Sequence, residues 1–292
     1  MSLTNQASAI LGLYAQTSIH AGTGQNTGAV DLPIQREAHT GWPCVFGSGL
    51  KGALRTDAEG RGLPTDAIIR IYGPDTNKAS DHAGAIAVTD ARLLLLPVRS
   101  LTSHFKWVTC PAILKRLQQD LARLGKFSWA TFTFPPEPGD DEAVVAQGNN
   151  ALYLEEYRYT ERAEDLTGLI DCLKHLIAAD VGDALQDQLT LVSNDQFAHL
   201  CQSATPINAH VRLHSDTKTV AKGQLWYEET LPPETVLYAG IVASKARKKD
   251  DTTAAKDILD AVMKQGPHIQ VGGNETVGMG WCAAQWIASE EA

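Results

Sequence analysis

Residues 28–55 read GAVDLPIQREAHTGWPCVFGSGLKGALR, and the two halves of this stretch call for different structures. In the first half Gly28, Pro33 and Gly41 interrupt any helix or central strand, because proline has no donor for a ladder and glycine loses the most backbone entropy when fixed. That broken segment nonetheless holds an acid, Asp31, with Arg36, Glu37 and His39 close behind and His20 ahead of it. In the second half Leu50, Ala53 and Leu54 recur at helical spacing, with Ser48 as a candidate N-cap and Gly60 as a candidate stop. Lys51 and Arg55 lie four apart and so share one helix face. A polar loop running into a short amphipathic helix is the expectation.

Upstream, residues 9–19 (AILGLYAQTSI) are rich in strand formers and read as a first strand, followed by a loop through Gly22, Gly24 and Gly28. Downstream, residues 84–98 predict a strand that becomes fully buried, and residues 111–124 predict a helix with Pro111 in its first turn. Residues 134–148 read as a loop. Further helices are expected within 163–180, over 195–204 and over 253–264. Residues 207–243 predict a long β-hairpin, in which Val211/Leu213 and Leu225/Tyr227 flank a polar tip of Ser215, Asp216, Thr217, Lys218 and Lys222. A charged loop (245–251) follows, and the chain closes on a strand, the glycine-rich loop VGGNETVGMG (271–280) and a last strand. Helices and strands mix without a regular βαβ rhythm, so the class is α+β.

A length of 292 residues with 43% hydrophobic and 20% charged residues suits one large globular body with insertions. The formal charge of −9 argues against a simple free-standing nucleic-acid binder, although a local basic strip on an acidic body is permitted. Five cysteines without a paired spacing fit reduced thiols better than disulfides or a zinc site. With no long apolar run, a cytoplasmic protein without a membrane anchor is expected.

Nucleotide-binding motifs fit poorly. Gly22, Gly24 and Gly28 are followed by AVDLPIQ instead of a helix that would present its N-terminus to a pyrophosphate, and GSGLKGAL lacks the phosphate-loop spacing. No G-x-S-x-G is present. The later loop has two readings: a turn that needs positive φ, or a bare surface whose backbone N–H groups approach phosphates. Asp31 likewise reads as a turn cap or as a reactive carboxylate. Acid, imidazoles, guanidinium and ammonium within one short span suit phosphodiester transesterification or hydrolysis, in which a base takes a proton and cations hold the phosphate. One carboxylate serves as base or as one ligand of Mg²⁺. No dense carboxylate cluster exists for two metals.

The block HAGTGQNTGAVDLPIQREAHTGWPCVFGSGLKGALR (20–55) resembles the N-terminal block of the RAMP-superfamily backbone subunit of type III-B (Cmr) CRISPR effector complexes. ALYLEEY (151–157), GQLWYEETLPPETVLYA (223–239) and IQVGGNETVGMGW (269–281) extend the likeness over essentially the whole chain. The resemblance implies a ferredoxin-like, RNA-recognition-motif-like palm. It implies one domain over 1–292 with finger insertions near 60–83 and 125–150 and a thumb hairpin near 190–232. It implies copies of the chain stacked with other Cmr subunits along a CRISPR RNA, cutting complementary target RNA at regular intervals with Mg²⁺ or Mn²⁺. Asp31 falls at the cleavage and metal position, and Lys51, Ser48, Gly272, Gly273, Gly278 and Gly280 at guide-RNA positions. Arg55 extends that set from its shared helix face, and His20, Arg36 and His39 are accessory candidates. Alternatives are a non-catalytic guide-binding scaffold, or an enzyme that processes precursor CRISPR RNA through its histidines. Gly49 stands where the family usually carries a second serine, and Ala21 where proline or another residue is common.

Overall fold

A computed structural model describes residues 6–75, 82–148 and 151–290 of the chain, with the side chains of 222 and 223 excepted. Lys222 of the expected hairpin tip, residues 76–81 and residues 149–150 thus fall outside the described parts. The chain begins with β1 (Gln6–Ala15), β2 (Cys44–Val45), α1 (Gly47–Gly60), α2 (Thr65–Tyr72) and β3 (Ile86–Val88). Next come β4 (Ala91–Ser100), β5 (His104–Thr109), α3 (Pro111–Leu124), β6 (Glu142–Val145), β7 (Ala151–Leu154) and β8 (Tyr157–Ala163). They are followed by α4 (Thr167–Lys174), α5 (Leu185–Gln188), β9 (Leu189–Leu191) and α6 (Asn194–Ser203). The last elements are β10 (Ile207–Leu213), β11 (Val220–Glu229), β12 (Val236–Ser244), α7 (Ala255–Met263), β13 (His268–Gln270) and β14 (Trp281–Ala288).

One sheet runs in the order β13-β14-β1-β12-β4-β5-β9-β6-β8-β7, while β10 and β11 pair only with each other. The fold is mixed α+β around this sheet. At its centre β1 lies between β12 and β14, antiparallel to both, and every residue of β1 after Gln6 is buried. That burial explains why AILGLYA is apolar without a break: a strand covered on both faces has no polar side to alternate with. The helix α3 buries Ile113, Leu114, Leu117, Leu121 and Leu124, a stripe at helical spacing, and with α7 packs on β1 and β12. Each such leucine contributes roughly 1.5–3 kcal/mol by leaving water.

Several expected boundaries shift. The helix after Gly47 is not capped by Ser48, which lies inside its exposed first turn. Its N-cap is Phe46, and the Gly47 N–H donates to Asp90 Oδ1 at 2.7 Å, so a residue far along the chain does the capping. Asp90 also explains why residues 84–98 form two strands. β3 and β4 both pair with β12, and the chain breaks between them where Asp90 turns toward α1. The expected helix within 163–180 shrinks to α4, because β8 extends to Ala163 and the Asp165 carboxylate accepts from Thr167 N, starting the helix late. Within 190–232 only β10 and β11 stand free of the main sheet. α6 buries Phe197, Leu200 and Cys201 in the core and is capped by the Ser193 hydroxyl. Among the described residues no helix is long and apolar enough to cross a membrane.

Candidate nucleic-acid interface

Between β1 and β2 the chain is extended but forms only isolated bridges, Ile19 with Leu231, Gly22 with Ile34, Leu32 with Glu228 and Arg36 with Pro43. This is how a segment broken by Gly and Pro is held: point by point, by neighbours. β11 supplies most of the points. Tyr227 N donates to Asp31 Oδ2 at 2.8 Å, Leu32 N donates to Tyr227 O at 3.1 Å, and Glu229 N donates to Leu32 O at 3.0 Å. Asp31 is half-buried and opens on a pocket of about 340 Å³ with Gln25, Asn26, Gln224, Leu225 and Trp226. Among the described residues nothing donates to its Oδ1. The capping reading of Asp31 holds in altered form: the N–H it caps belongs to the distant strand β11 and not to its own turn, and the residue also lines the pocket.

The two glutamates that end β11 point to opposite faces, and both are buried. Glu229 Oε1 accepts from Arg36 at 2.5 Å and from Thr205 at 2.7 Å, while its Oε2 accepts from Ile34 N at 3.1 Å. Arg36 also donates to the carbonyls of Gly41 and Cys201, so both terminal nitrogens of its guanidinium are engaged in holding the loop. On the other face Glu228 Oε1 accepts from Asn274 of the glycine-rich loop at 2.5 Å and lies 3.7 Å from His20 Nδ1. His20 is itself buried, with Nδ1 2.8 Å from Glu229 O. Both carboxylate oxygens of Glu37 accept from Arg116 Nη1, at 2.7 and 2.9 Å. Burial raises its carboxyl, and the Arg116 and Thr40 hydrogen bonds more than offset this, leaving it below the usual range. His39 is exposed, 3.9 Å from Glu37. Arg36, Glu37 and His20 thus position the loop and leave Asp31 as its open group.

The glycine-rich loop bears out the expected turn that needs positive φ. Gly272 and Gly280 have φ of +87° and +86°, and a Cβ would sit 2.5 Å from His20 O and 2.2 Å from Val271 O respectively, so no side chain fits at either. However, the N–H groups of Gly273, Gly278 and Gly280 are not offered to phosphates: they donate to His20 O, Glu275 O and Ser18 O. The loop presents bare surface, and these three amides are used to fold it.

That surface borders a groove of about 800 Å³ whose other wall is α1, through Gly49, Ala53 and Thr56. Lys51 and Arg55 do not enter the groove. At 3.6 residues per turn they fall about half a turn from Gly49 and Ala53, on the opposite flank of the helix. Lys51 Nζ reaches Ile86 O at 3.3 Å; burial lowers its pKa, and Arg247 and Arg55 lower it further. Arg55 is paired with Glu59 and Asp75. Between the two flanks the exposed face of α1 carries Ser48, Gly49, Gly52 and Thr56, with no atom within 4 Å of a Cβ placed on Gly52. The face is thus a bare strip between a cationic edge and a glycine-rich groove. Arg247 joins that edge from the 245–251 loop; its only sequence signal was the basic run KARKK. Gly52→Leu is expected to raise or preserve the melting temperature, since leucine favours helix by roughly 1 kcal/mol over glycine. It should weaken binding of single-stranded RNA about tenfold or more, read by titration of the assembled protein.

Residues 13–283 match the model of the RAMP superfamily. The chain belongs to the RAMP superfamily. This RAMP chain is 35% identical over 279 residues to the "CRISPR system Cmr endoribonuclease Cmr4" of Pyrococcus furiosus, covering 93% of each chain. It is 23% identical over 308 residues to the "CRISPR system CMR subunit Cmr4" of Saccharolobus solfataricus, covering 94% of this chain and 95% of that one. Among solved structures, oligomeric Cmr4 from Pyrococcus furiosus superposes with a TM-score of 0.75 at 26% identity, covering 97% of this chain and 98% of that one. A chain of the type III-B Cmr-beta complex bound to cognate target RNA superposes at 0.76 and 20% identity, covering 96% of each, and speaks for the shared fold alone.

Proposed function

We propose that this chain is the guide-binding backbone subunit of a type III-B CRISPR effector complex, and that each copy cuts complementary target RNA beside Asp31 in antiviral defence. The observation that carries the reading is the Asp31 carboxylate, anchored to β11 through Oδ2 and open through Oδ1. The relative at 35% identity that is named an endoribonuclease supports it. The antiparallel order β14-β1-β12-β4, with α1 and α7 in the connections, supports reading this part as a ferredoxin-like palm. The β10–β11 hairpin is its thumb, within a single domain, and the segments near 60–83 and 125–150 are its fingers. The bare strip of α1, with Ser48, Lys51 and Arg55, holds the guide together with the loop Gly272–Gly280. Repeated copies along one guide, with other Cmr subunits, supply affinity that a single acidic chain lacks. Sequence specificity comes from base pairing between guide and target. A cytoplasmic location follows from that role.

The donor set suits a shared divalent cation. Mg²⁺ or Mn²⁺ takes one or two carboxylates together with phosphate oxygens and water. Asp31, which lines one pocket with Gln25 and Asn26, would offer one carboxylate oxygen to a cation that RNA phosphates would complete. Among the described residues no three His, Cys, Asp or Glu side chains gather to hold a metal alone. Such a cation, when bound, would neutralise phosphate charge. Asp31 would help hold that cation, or would accept the proton of the 2′-hydroxyl as this oxygen bonds to phosphorus and the P–O5′ bond breaks, the leaving oxygen taking a proton from water. The buried, engaged ring of His20 does not favour histidine-driven processing of precursor RNA. Guide-loaded complex mixed with end-labelled complementary RNA should give evenly spaced products with Mg²⁺ or Mn²⁺ and none with EDTA. An intact target under both conditions would leave only the scaffold role standing.

A further inference from the structure

The free hairpin has two unlike faces. Cross-strand pairing sets Ala209 opposite Tyr227, His210 opposite Trp226 and Val211 opposite Leu225. Because side chains alternate along a strand, Ile207, Val211, Leu213, Leu225 and Tyr227 share one face, apolar and largely aliphatic apart from the Tyr227 ring, and all are exposed. The other face carries His210 and Trp226, whose rings stack at 5.5 Å with an interplanar angle of 16°. Glu228 lies on that same face two residues on, and its carboxylate meets Asn274 of the glycine-rich loop. The aromatic face is therefore the one turned toward the elements assigned to RNA. Trp226 is also half-exposed in the pocket that holds Asp31, and the residue after it fixes the Asp31 carboxylate through its N–H. Indole and carboxylate are held in one register by adjacent residues of a single strand.

Resting on the function proposed above, we propose that Trp226 is a base-stacking residue: its indole, backed by His210, stacks a nucleobase of the target next to the scissile phosphate and so aligns that phosphate with Asp31. An aromatic ring beside a phosphodiester-cleaving carboxylate recognises the unpaired base of a single strand by its π-face and is indifferent to base identity, as suits a subunit that cuts any guided sequence. The smaller, aliphatic side chain of Trp226→Leu stays apolar without offering that face. Stacking that is made only when the strand is aligned appears in the cleavage rate more than in target affinity.

The test uses the guide-loaded complex. Target RNA carries 2-aminopurine in turn at each nucleotide flanking a cut site, in complexes built from Asp31→Asn so that the strand stays whole. One position should show fluorescence quenched at least twofold, the quench persisting with Trp226→Phe and disappearing with Trp226→Leu. In cleaving complexes, deleting the base at that position should slow cutting roughly tenfold to a hundredfold with Trp226 present, the range expected for one stacked base. It should slow cutting no further when Trp226→Leu is already present, since the two changes remove the same contact. A quench independent of residue 226 at every position, or effects of base deletion and Trp226→Leu that multiply, would overturn the proposal. If the wild-type complex cuts nothing, cleavage at Asp31 fails while the fluorescence still reports whether the base stacks.

Discussion

A complex assembled from Asp31→Asn copies should hold target RNA as tightly as the wild type and cut it at least a hundredfold more slowly. The substitution keeps shape: an asparagine side-chain oxygen can still accept the Tyr227 N–H that Asp31 Oδ2 accepts at 2.8 Å, so the loop stays registered on β11. What disappears is the negative charge on the pocket side, and a neutral amide neither takes a proton nor contributes a carboxylate to a divalent cation. Loss of a positioned proton acceptor typically costs 10²–10⁴-fold, so a single-turnover rate within or below that reduced range is expected. Target affinity should not fall, because Asp31 opposes the phosphate charge and removing it can only relieve repulsion. Single-turnover cleavage and filter binding on the same preparation separate the two effects.

Glu229→Ala should act on stability and through it on the site. Its carboxylate is buried and serves three donors, Arg36, Thr205 and the Ile34 amide. Truncation leaves the Arg36 guanidinium without its counter-charge beside the core residue Cys201, and removing one partner of a buried pair costs about 3–5 kcal/mol. For a domain of this size that lowers the melting temperature by roughly 10 °C. Glu229→Gln retains an acceptor and should lose about half as much. An unchanged melting curve for the alanine variant would show that the loop is not held in this way. Because Leu32, which lines the pocket, and Ile34 lie just beyond Asp31, cleavage should fall in both variants even though Glu229 itself does not line the pocket.

The parts legible in the sequence were those written in local pattern. α3 spans the expected 111–124 because its apolar stripe and Pro111 both act within a few residues. The Asp31 loop was recognisable because Gly28, Pro33 and Gly41 forbid regular structure whatever surrounds them. What escaped was set by partners far along the chain. Nothing near Gly47 shows that Asp90 caps α1, and nothing in YEET announces that both glutamates are buried, one against Arg36 and the other against Asn274. Lys51 and Arg55 were rightly placed on one face, but which flank meets the glycine-rich loop depends on how α1 seats on the sheet. Trp226 was not singled out, because its pairing with His210 and its place beside Asp31 depend on the hairpin's register and on a loop far along the chain.

If every copy carries its own cleavage site, each cut should depend only on the copy beside it. Complexes assembled from equal amounts of wild-type and Asp31→Asn chains, given end-labelled target in single turnover, test this directly. The account predicts the full ladder of evenly spaced positions, each cut in about half of the molecules, with longer partial products accumulating where mutant copies sit. Loss of all cutting, or a ladder unchanged even when every copy carries Asp31→Asn, would contradict it.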